Sequence, residues 1–186
     1  EYLGSFERET SGDEHHGGRA ARSVVAYQKP FDRMREVYRK YPIAQADTEE
    51  DNTYLAYNVA IGTSLDTRLS TAFAVLEYAL LETPGAPLKE ALLDAGIGKD
   101  IMSSYDSGTF QPVFSIIAKN ANISDKDTFY QLIFDKLNEI AEKGVDENAI
   151  RAAINIMEFK FREADYGSYP KGLMYGVDVF DSWLYD

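Results

Sequence analysis

Histidine and acidic residues near the start of the sequence are of the types that bind metal ions. His15 and His16 are the only two histidines of the chain, and they directly follow Asp13 and Glu14. Zinc peptidase motifs place two histidines one helical turn apart beside a glutamate base, whereas adjacent histidines point in different directions on any regular element. Neither H-E-x-x-H nor H-x-x-E-H occurs in the sequence. We therefore interpret this segment as a solvated loop and predict no metal ligand and no cofactor in this chain.

Nucleophilic and phosphate-binding motifs are also missing from the sequence. It has no G-x-S-x-G elbow, no S-x-x-K, no Walker-type glycine loop and no cysteine, which excludes thiolate chemistry and disulfides. With 31 acidic residues, neighbouring carboxylates arise by chance. We predict no catalytic residue, and an independent enzyme that uses acidic residues is a weaker hypothesis.

Charge and composition limit the partners of the chain. It has 186 residues, 45% of them hydrophobic, and a formal net charge of -12. This charge repels phosphate backbones and anionic lipid, so we expect no nucleic-acid or membrane partner, and basic or neutral peptides are favoured. No apolar run approaches the roughly 20 residues that span a bilayer. Because the sequence begins at Glu1, we also expect it to be a piece of a longer polypeptide.

The pattern of apolar residues divides the chain into a lead-in and one domain. Residues 1–30 are rich in glycine, serine and charge and predict an interdomain linker, and residues 31–186 predict a single α+β domain. Period-two alternation and β-forming residues predict strands, and period-3.6 repeats predict helices. Strands are predicted at residues 23–28, 35–43, 52–62 and 109–120, and helices at 65–83, 87–96, 124–144, 146–166 and 171–184. This order favours a largely antiparallel sheet covered on one face by helices.

Several residues predict where these elements begin and end. Asp66 is placed to cap the first helix, Ser124 with Asp127 resembles a capping box, and Gly144 is placed to end the helix that follows. Pro112 lacks a backbone donor, so the strand at residues 109–120 should lie at a sheet edge or have the proline at its beginning.

A polar, glycine-containing segment, MSSYDSGTF at residues 102–110, precedes that strand. An exposed backbone edge here could accept an extended peptide as an added strand. An ordinary loop followed by an edge strand explains the same residues equally well.

Three longer stretches together resemble a known family. They are LLETPGAPLKEALLDAGIGKD at residues 80–100, TFQPVFSIIAKN at residues 109–120, and EKGVDENAIRAAINIMEFKFREADYGSYPKGL at residues 142–173. In this order they resemble the second, non-catalytic domain of the presequence protease branch of the pitrilysin and insulinase zinc peptidases. The resemblance covers roughly residues 38–186.

The resemblance implies a function for the chain within a larger peptidase. Zinc is expected in the catalytic domain of the parent, the remaining domains and unfolded peptide substrate are the expected partners, and this chain alone should be inactive. A bacterial-type, cytoplasmic protein is expected, and exposed domain interfaces could allow a dimer. The alternative is a stand-alone, inactive homologue that acts as a scaffold or interaction module.

The resemblance also implies a position for peptide anchoring. In such second domains the amino-terminal part of a peptide adds a strand to a sheet edge, and the insulinase pattern has paired glycines where this chain has Ser103 and Ser104. The matching residues here are Thr83, Pro84, Gly85, Ala86, Met102, Ser103, Ser104 and Tyr105.

Overall fold

The computed structural model of the chain describes residues 25–163 and 166–185, which form an α+β fold. Three strands form one sheet in the order β1-β3-β2. The elements are β1 (Thr53–Ala60), α1 (Thr67–Glu77), a π-helical turn (Tyr78–Glu82), α2 (Pro87–Asp94), β2 (Asp100–Asp106), β3 (Val113–Ala121), a 3-10 turn (Ile123–Asp125), α3 (Lys126–Lys143), α4 (Glu147–Glu163) and α5 (Lys171–Trp183). The predicted fold class is confirmed.

The sheet is antiparallel throughout, with β3 at its centre. Ile116 of β3 pairs with Tyr57 of β1 on one side and with Ser103 of β2 on the other. Side chains alternate between a face covered by α1, α2 and α3 and a second face, which we call the open face because none of these helices covers it, as the period of two requires. On the open face, Ser115 donates a hydrogen bond to Oδ1 of Asn58 at 2.8 Å.

The core lies between the covered face of the sheet and the helices. Phe129 and Ile133 of α3 are fully buried, as are Leu88 and Leu92 of α2. The other buried members of this cluster are Leu55, Leu80, Leu81, Ile97, Ile101, Phe114, Ile116, Ala118 and Ala121. Burial of this many large apolar side chains fixes α2 and the π-helical turn against the sheet.

The predicted helix ends at Asp66 and Gly144 are confirmed. The Asp66 carboxylate accepts a hydrogen bond from the backbone N–H of Leu69 at 3.0 Å, and Gly144 follows the last residue of α3 with φ of 86°. The end of α2 is a Schellman motif, because the N–H of Ile97 donates to the carbonyl of Leu92 and Gly96 has φ of 72°.

The predicted capping box at Ser124 and Asp127 is wrong. The box is formed two residues earlier, where the backbone N–H of Asn122 donates to the Asp125 carboxylate at 3.0 Å. Like serine, Asn122 supplies an oxygen acceptor ahead of the first turn. The 3-10 turn at Ile123–Asp125 fills the residues between this cap and the start of α3.

The predicted strand at residues 35–43 is wrong, and residues 25–28 of the strand predicted at 23–28 are not a strand either. Residues 23 and 24 lie outside the described residues. Val37 is 68% exposed, and the segment is held by side chains instead, since the Tyr41 hydroxyl donates to the Asn52 carbonyl. Alternation produces a strand only where a partner strand supplies the ladder.

The strand β2 was not among the predicted strands, although its residues were predicted to form a sheet edge. The strand predicted at 109–120 is β3, which begins at Val113, directly after Pro112, and is central instead of at an edge. Pro112 thus lies outside the ladder, where its missing N–H costs nothing. No helix within the described residues is long and apolar enough to cross a membrane.

Candidate peptide-binding edge

Strand β2 forms one edge of the sheet. It pairs with β3 on one side, and no strand among the described residues pairs with its other side, which we call the outer edge. The side chains of Ile101, Ser103 and Tyr105 face the helices, whereas Met102 and Ser104 face the open side, where Met102 is 44% exposed. The backbone between these side chains is therefore the part of β2 that a ligand strand could reach.

The turn at residues 83–86 follows the π-helical turn and leads into α2. The N–H of Ala86 donates to the Thr83 carbonyl at 3.0 Å, and Gly85 has φ of 76°. Proline at the second position and glycine with positive φ at the third are the requirements of a type II turn, which Pro84 and Gly85 meet. Ala86 is buried, and Pro87 begins α2, so the turn has a fixed position.

The structure brings these two predicted segments close together through Ser103. The Ser103 hydroxyl oxygen lies 2.8 Å from Oε1 of Glu82, the residue directly before Thr83. It also lies 3.0 Å from Oε1 of Glu77, the last residue of α1. A hydroxyl carries one proton, so Ser103 donates to one of these two carboxylates at a time.

Glu77 and Glu82 were not predicted as site residues. They are five residues apart, a spacing that does not place them together on an α-helix. The intervening turn is π-helical, with the N–H of Thr83 donating to the Tyr78 carbonyl, and this i to i+5 winding brings residues five apart to the same side. No signal in the sequence indicates a π-helical turn. Only the presence of a glutamate on each side of the four residues YALL could have suggested the pair.

The environment of Glu77 favours its protonated form. Burial raises the pKa of Glu77 above its ordinary value, and the Glu82 carboxylate adds to the rise. Hydrogen bonds from the Ser103 hydroxyl and from the backbone N–H of Tyr105, together with Lys160 of α4, oppose the rise in this pKa.

The strand register gives the direction of the β2 backbone. Because the N–H of Ile61 donates to the carbonyl of Pro112, every second residue from Pro112 onwards turns its backbone groups towards β1. Tyr105 and Ser103 pair with two of these residues, so their own N–H groups point away from β3.

Tyr105 has a packing role besides its place in β2. Its ring stacks on Phe73 of α1 at 6.0 Å between ring centroids, and its hydroxyl lies 3.3 Å from Oγ of Ser70. The side chain therefore belongs to the covered face, and only its backbone lies at the outer edge.

Comparison with known proteins gives the family. A family model described as "Peptidase M16 inactive domain" matches residues 1–157. The chain belongs to the peptidase M16 inactive-domain family. The resemblance to the non-catalytic domain of the presequence protease branch is confirmed.

Relatives of this M16 domain are much longer proteins. The chain is 42% identical over 164 residues to "Protein HypA" of Clostridium perfringens, covering 88% of the chain and 17% of that protein. It is 31% identical over 188 residues to "Presequence protease 1, chloroplastic/mitochondrial" of Arabidopsis thaliana, covering 100% of the chain and 17% of that protein. It is 26% identical over 168 residues to "Presequence protease, mitochondrial" of Danio rerio, covering 88% of the chain and 16% of that protein. The chain thus spans about one sixth of the length of the relatives it matches.

The described residues of this M16 domain do not form the zinc site of a metallopeptidase. Within residues 25–163 and 166–185 there is no group of three or more histidine, cysteine, aspartate or glutamate side chains arranged to hold a metal ion. His15 and His16 lie outside the described residues. The sequence lacks the H-x-x-E-H motif, so no catalytic step is assigned to this chain.

Proposed function

We propose that this chain is a non-catalytic domain of a zinc-dependent metalloendopeptidase that degrades peptides in a closed chamber. In this proposal the chain supplies part of the chamber wall, and the outer edge of β2 with the turn at residues 83–86 anchors an extended peptide. The observation that carries the proposal is that β2, at the residues Met102, Ser103, Ser104 and Tyr105, has one side free of any described strand.

Backbone pairing suits this role because it does not depend on the peptide's sequence. An added strand forms its hydrogen bonds to main-chain groups, and the peptide's side chains extend to the two faces of the sheet. Any peptide that can become extended therefore meets the same donors and acceptors.

The serines at positions 103 and 104 are compatible with strand addition, although the insulinase pattern has glycines there. Side chains on a strand point to the two faces and not along the hydrogen-bonding direction. Ser103 points towards Glu77 and Glu82, and Ser104 points to the open face. Neither Cβ lies in the path of a strand that approaches from the outer edge.

The carboxylates beside the outer edge support a preference for basic or neutral peptides. Glu82 lies within hydrogen-bond distance of Ser103, and the whole chain has a net charge of -12. Such a field attracts cationic peptides and disfavours acidic ones.

The experiment uses the longer parent peptidase with two substitutions at one position. Ser103→Pro removes the outward N–H of β2 without removing a ladder bond to β3, since proline is tolerated on an edge strand. Ser103→Ala keeps this N–H and removes only the hydroxyl. We expect Ser103→Pro to weaken binding of a fluorescent, unstructured peptide about three- to tenfold, the effect of one lost hydrogen bond, and Ser103→Ala to weaken it less.

Binding is measured by fluorescence anisotropy with zinc chelated, so that the peptide is not hydrolysed. Circular dichroism confirms that both variants are folded. Equal affinity of folded Ser103→Pro, Ser103→Ala and the unmodified protein would rule out anchoring at this edge.

A further inference from the structure

Helix α5 has no buried residue, and the side that it turns to the rest of the chain mixes apolar and polar residues, among them Met174, Asp181 and Ser182. The Asp181 carboxylate lies beside Gly108, where an added Cβ would be 3.5 Å from its Oδ1. Burial raises the pKa of Asp181, and the neighbouring carboxylates of Asp178 and Asp106 raise it further. The Tyr175 hydroxyl donates to the carbonyl of Phe161 at 3.0 Å. A helix on the surface of a domain normally buries its apolar side, whereas most of the apolar residues of α5 are exposed.

The apolar side of α5 faces outward as one continuous row, which we call the α5 stripe. Its members are Leu173, Val177, Phe180 and Leu184, at positions i, i+4, i+7 and i+11, the spacing of one helix face. They are between 46% and 69% exposed. None of the four carries a charge or a polar group that would gain from this exposure.

Helix α4 shows a related pattern. Ala153 is its only buried residue, and Lys160 lies over the ring of Tyr78, which marks the side that faces the π-helical turn. On another side of the helix, Phe159 is 64% exposed and Ile156 is also exposed. A helix with large apolar residues on several sides is typical of one that is covered by more than one layer.

We propose that the α5 stripe is an intramolecular docking surface for an apolar, helical element from another part of the longer polypeptide. The relatives support this occupant, because the chain spans only 17% of the first two relatives described above. The charge of the chain also favours this occupant over a second copy of the chain. Each copy carries a net charge of -12, so two copies repel each other at the separation that packing of the stripe requires.

The spacing of the α5 stripe defines the kind of element that fits it. Residues at i, i+4, i+7 and i+11 form a ridge that packs into the groove of a facing helix. The partner is therefore expected to be a helix with its own apolar row, and the contact does not involve the outer edge of β2.

The test is cysteine labelling in the full-length parent. These 186 residues contain no cysteine, so a single introduced thiol can be followed by peptide-level mass spectrometry whatever cysteines lie elsewhere. Val177→Cys reports on the α5 stripe, and Gln131→Cys, an exposed polar position on α3, is the matched control. We expect Val177→Cys in the folded parent to react about tenfold more slowly, or slower still, than in urea, and Gln131→Cys to react at nearly its unfolded rate.

Three results would overturn the proposal. Reaction of Val177→Cys at the rate of the unfolded parent would show that the stripe is exposed. Protection that disappears on dilution would show that a second copy covers it. Equal protection at Gln131→Cys would show that burial is general and not specific to the stripe. All three results are independent of peptide binding at β2, so they leave the Ser103→Pro experiment unaffected.

Discussion

Ser103 Oγ lies 2.8 Å from Oε1 of Glu82, and this contact joins strand β2 to the segment that leads into the turn at residues 83–86. The two residues are 21 positions apart in the sequence. The contact depends on the π-helical turn, because only its wider winding directs Glu82 to the same side as Glu77. The candidate peptide-binding edge of β2 therefore lies beside this hydrogen-bonded group.

We predict that Glu77→Gln stabilises the chain at neutral pH. The pKa of Glu77 is raised by burial, so the folded state binds this proton more tightly than the unfolded state. The unmodified chain therefore loses stability as pH rises from about 4.5 through the raised pKa. Urea unfolding at several pH values should show the variant gaining stability over the unmodified chain across this interval, with the difference smallest at acid pH. A constant difference at every pH would contradict the assignment to Glu77 ionisation.

We predict that alanine substitution of two phenylalanines has very different effects on the free energy of unfolding. Phe129 is fully buried beneath the sheet, whereas Phe159 is 64% exposed. Phe129→Ala should lower the free energy of unfolding by about 3–5 kcal/mol, because it removes packing and leaves a cavity. Phe159→Ala in the same chain should change it by less than about 0.5 kcal/mol. Urea denaturation with a shared m-value measures both, and similar losses for the two variants would mean that Phe159 is covered in this chain.

We predict that alanine is tolerated better at Gly96 than at Gly98. Both glycines have positive φ, 72° and 73°, so alanine carries the same backbone cost of about 1–2 kcal/mol at each position. A Cβ at Gly98 would also lie 2.7 Å from the carbonyl oxygen of Lys119, whereas one at Gly96 meets nothing within 4 Å. Gly98→Ala should therefore cost about 1–3 kcal/mol more than Gly96→Ala in chemical denaturation. Equal costs would show that the β3 backbone moves away without penalty.

We predict that Asp51→Asn weakens the chain at neutral pH but not in strong acid. Oδ2 of Asp51 pairs with Lys99 at 2.9 Å, and Oδ1 accepts a hydrogen bond from Asn122 at 2.9 Å. The hydrogen bond from the Lys99 ammonium, and then the one from the Asn122 amide, lower the pKa of Asp51. A lowered carboxylate pKa stabilises the folded state above the ordinary value, near 3.8, and this contribution is lost as pH falls through the lowered pKa. Thermal melts should therefore show a deficit at pH 7 that closes as the pH falls below 3.8 and through the lowered pKa of Asp51.

Lys99→Met provides the control for this network. It removes the partner and leaves the Asp51 carboxylate, so its melting temperature should respond to pH less steeply in the acid range than that of the unmodified chain. An unchanged acid response in Lys99→Met would assign the effect to another carboxylate.

Local signals in the sequence were sufficient to locate the helices, but not to predict the π-helical turn after α1 or the capping box before α3. Asp66, Gly144, Gly96 and the apolar repeats between them depend on interactions within a few residues, and the structure confirms each one. The strands depend on partners that are distant in sequence. The alternation at residues 35–43 favours a strand that does not form, whereas the polar sequence of β2 forms one because β3 supplies a ladder on one side.

At the candidate site, too, the sequence predicted some residues and could not predict others, whose proximity depends on the folded structure. The family resemblance led to Thr83, Pro84, Gly85 and Ala86 and to Met102, Ser103, Ser104 and Tyr105, and their role in anchoring peptides stays a prediction. Glu77 and Glu82 could not be found from spacing, since their proximity results from a π-helical turn that no residue pattern indicates. The proximity of both glutamates to Ser103 needs the sheet and helices to be assembled first.

The π-helical turn at Tyr78–Glu82 holds one residue more than an α-helical turn would. Deleting one residue between Glu77 and Glu82 would let this segment return to ordinary α-helical winding, with Glu82 four positions after Glu77 and still on the same side of the helix. The direction in which the chain enters the reversal at Pro84 and Gly85 would then change little. The segment should therefore accommodate the loss of one residue more readily than the gain of another.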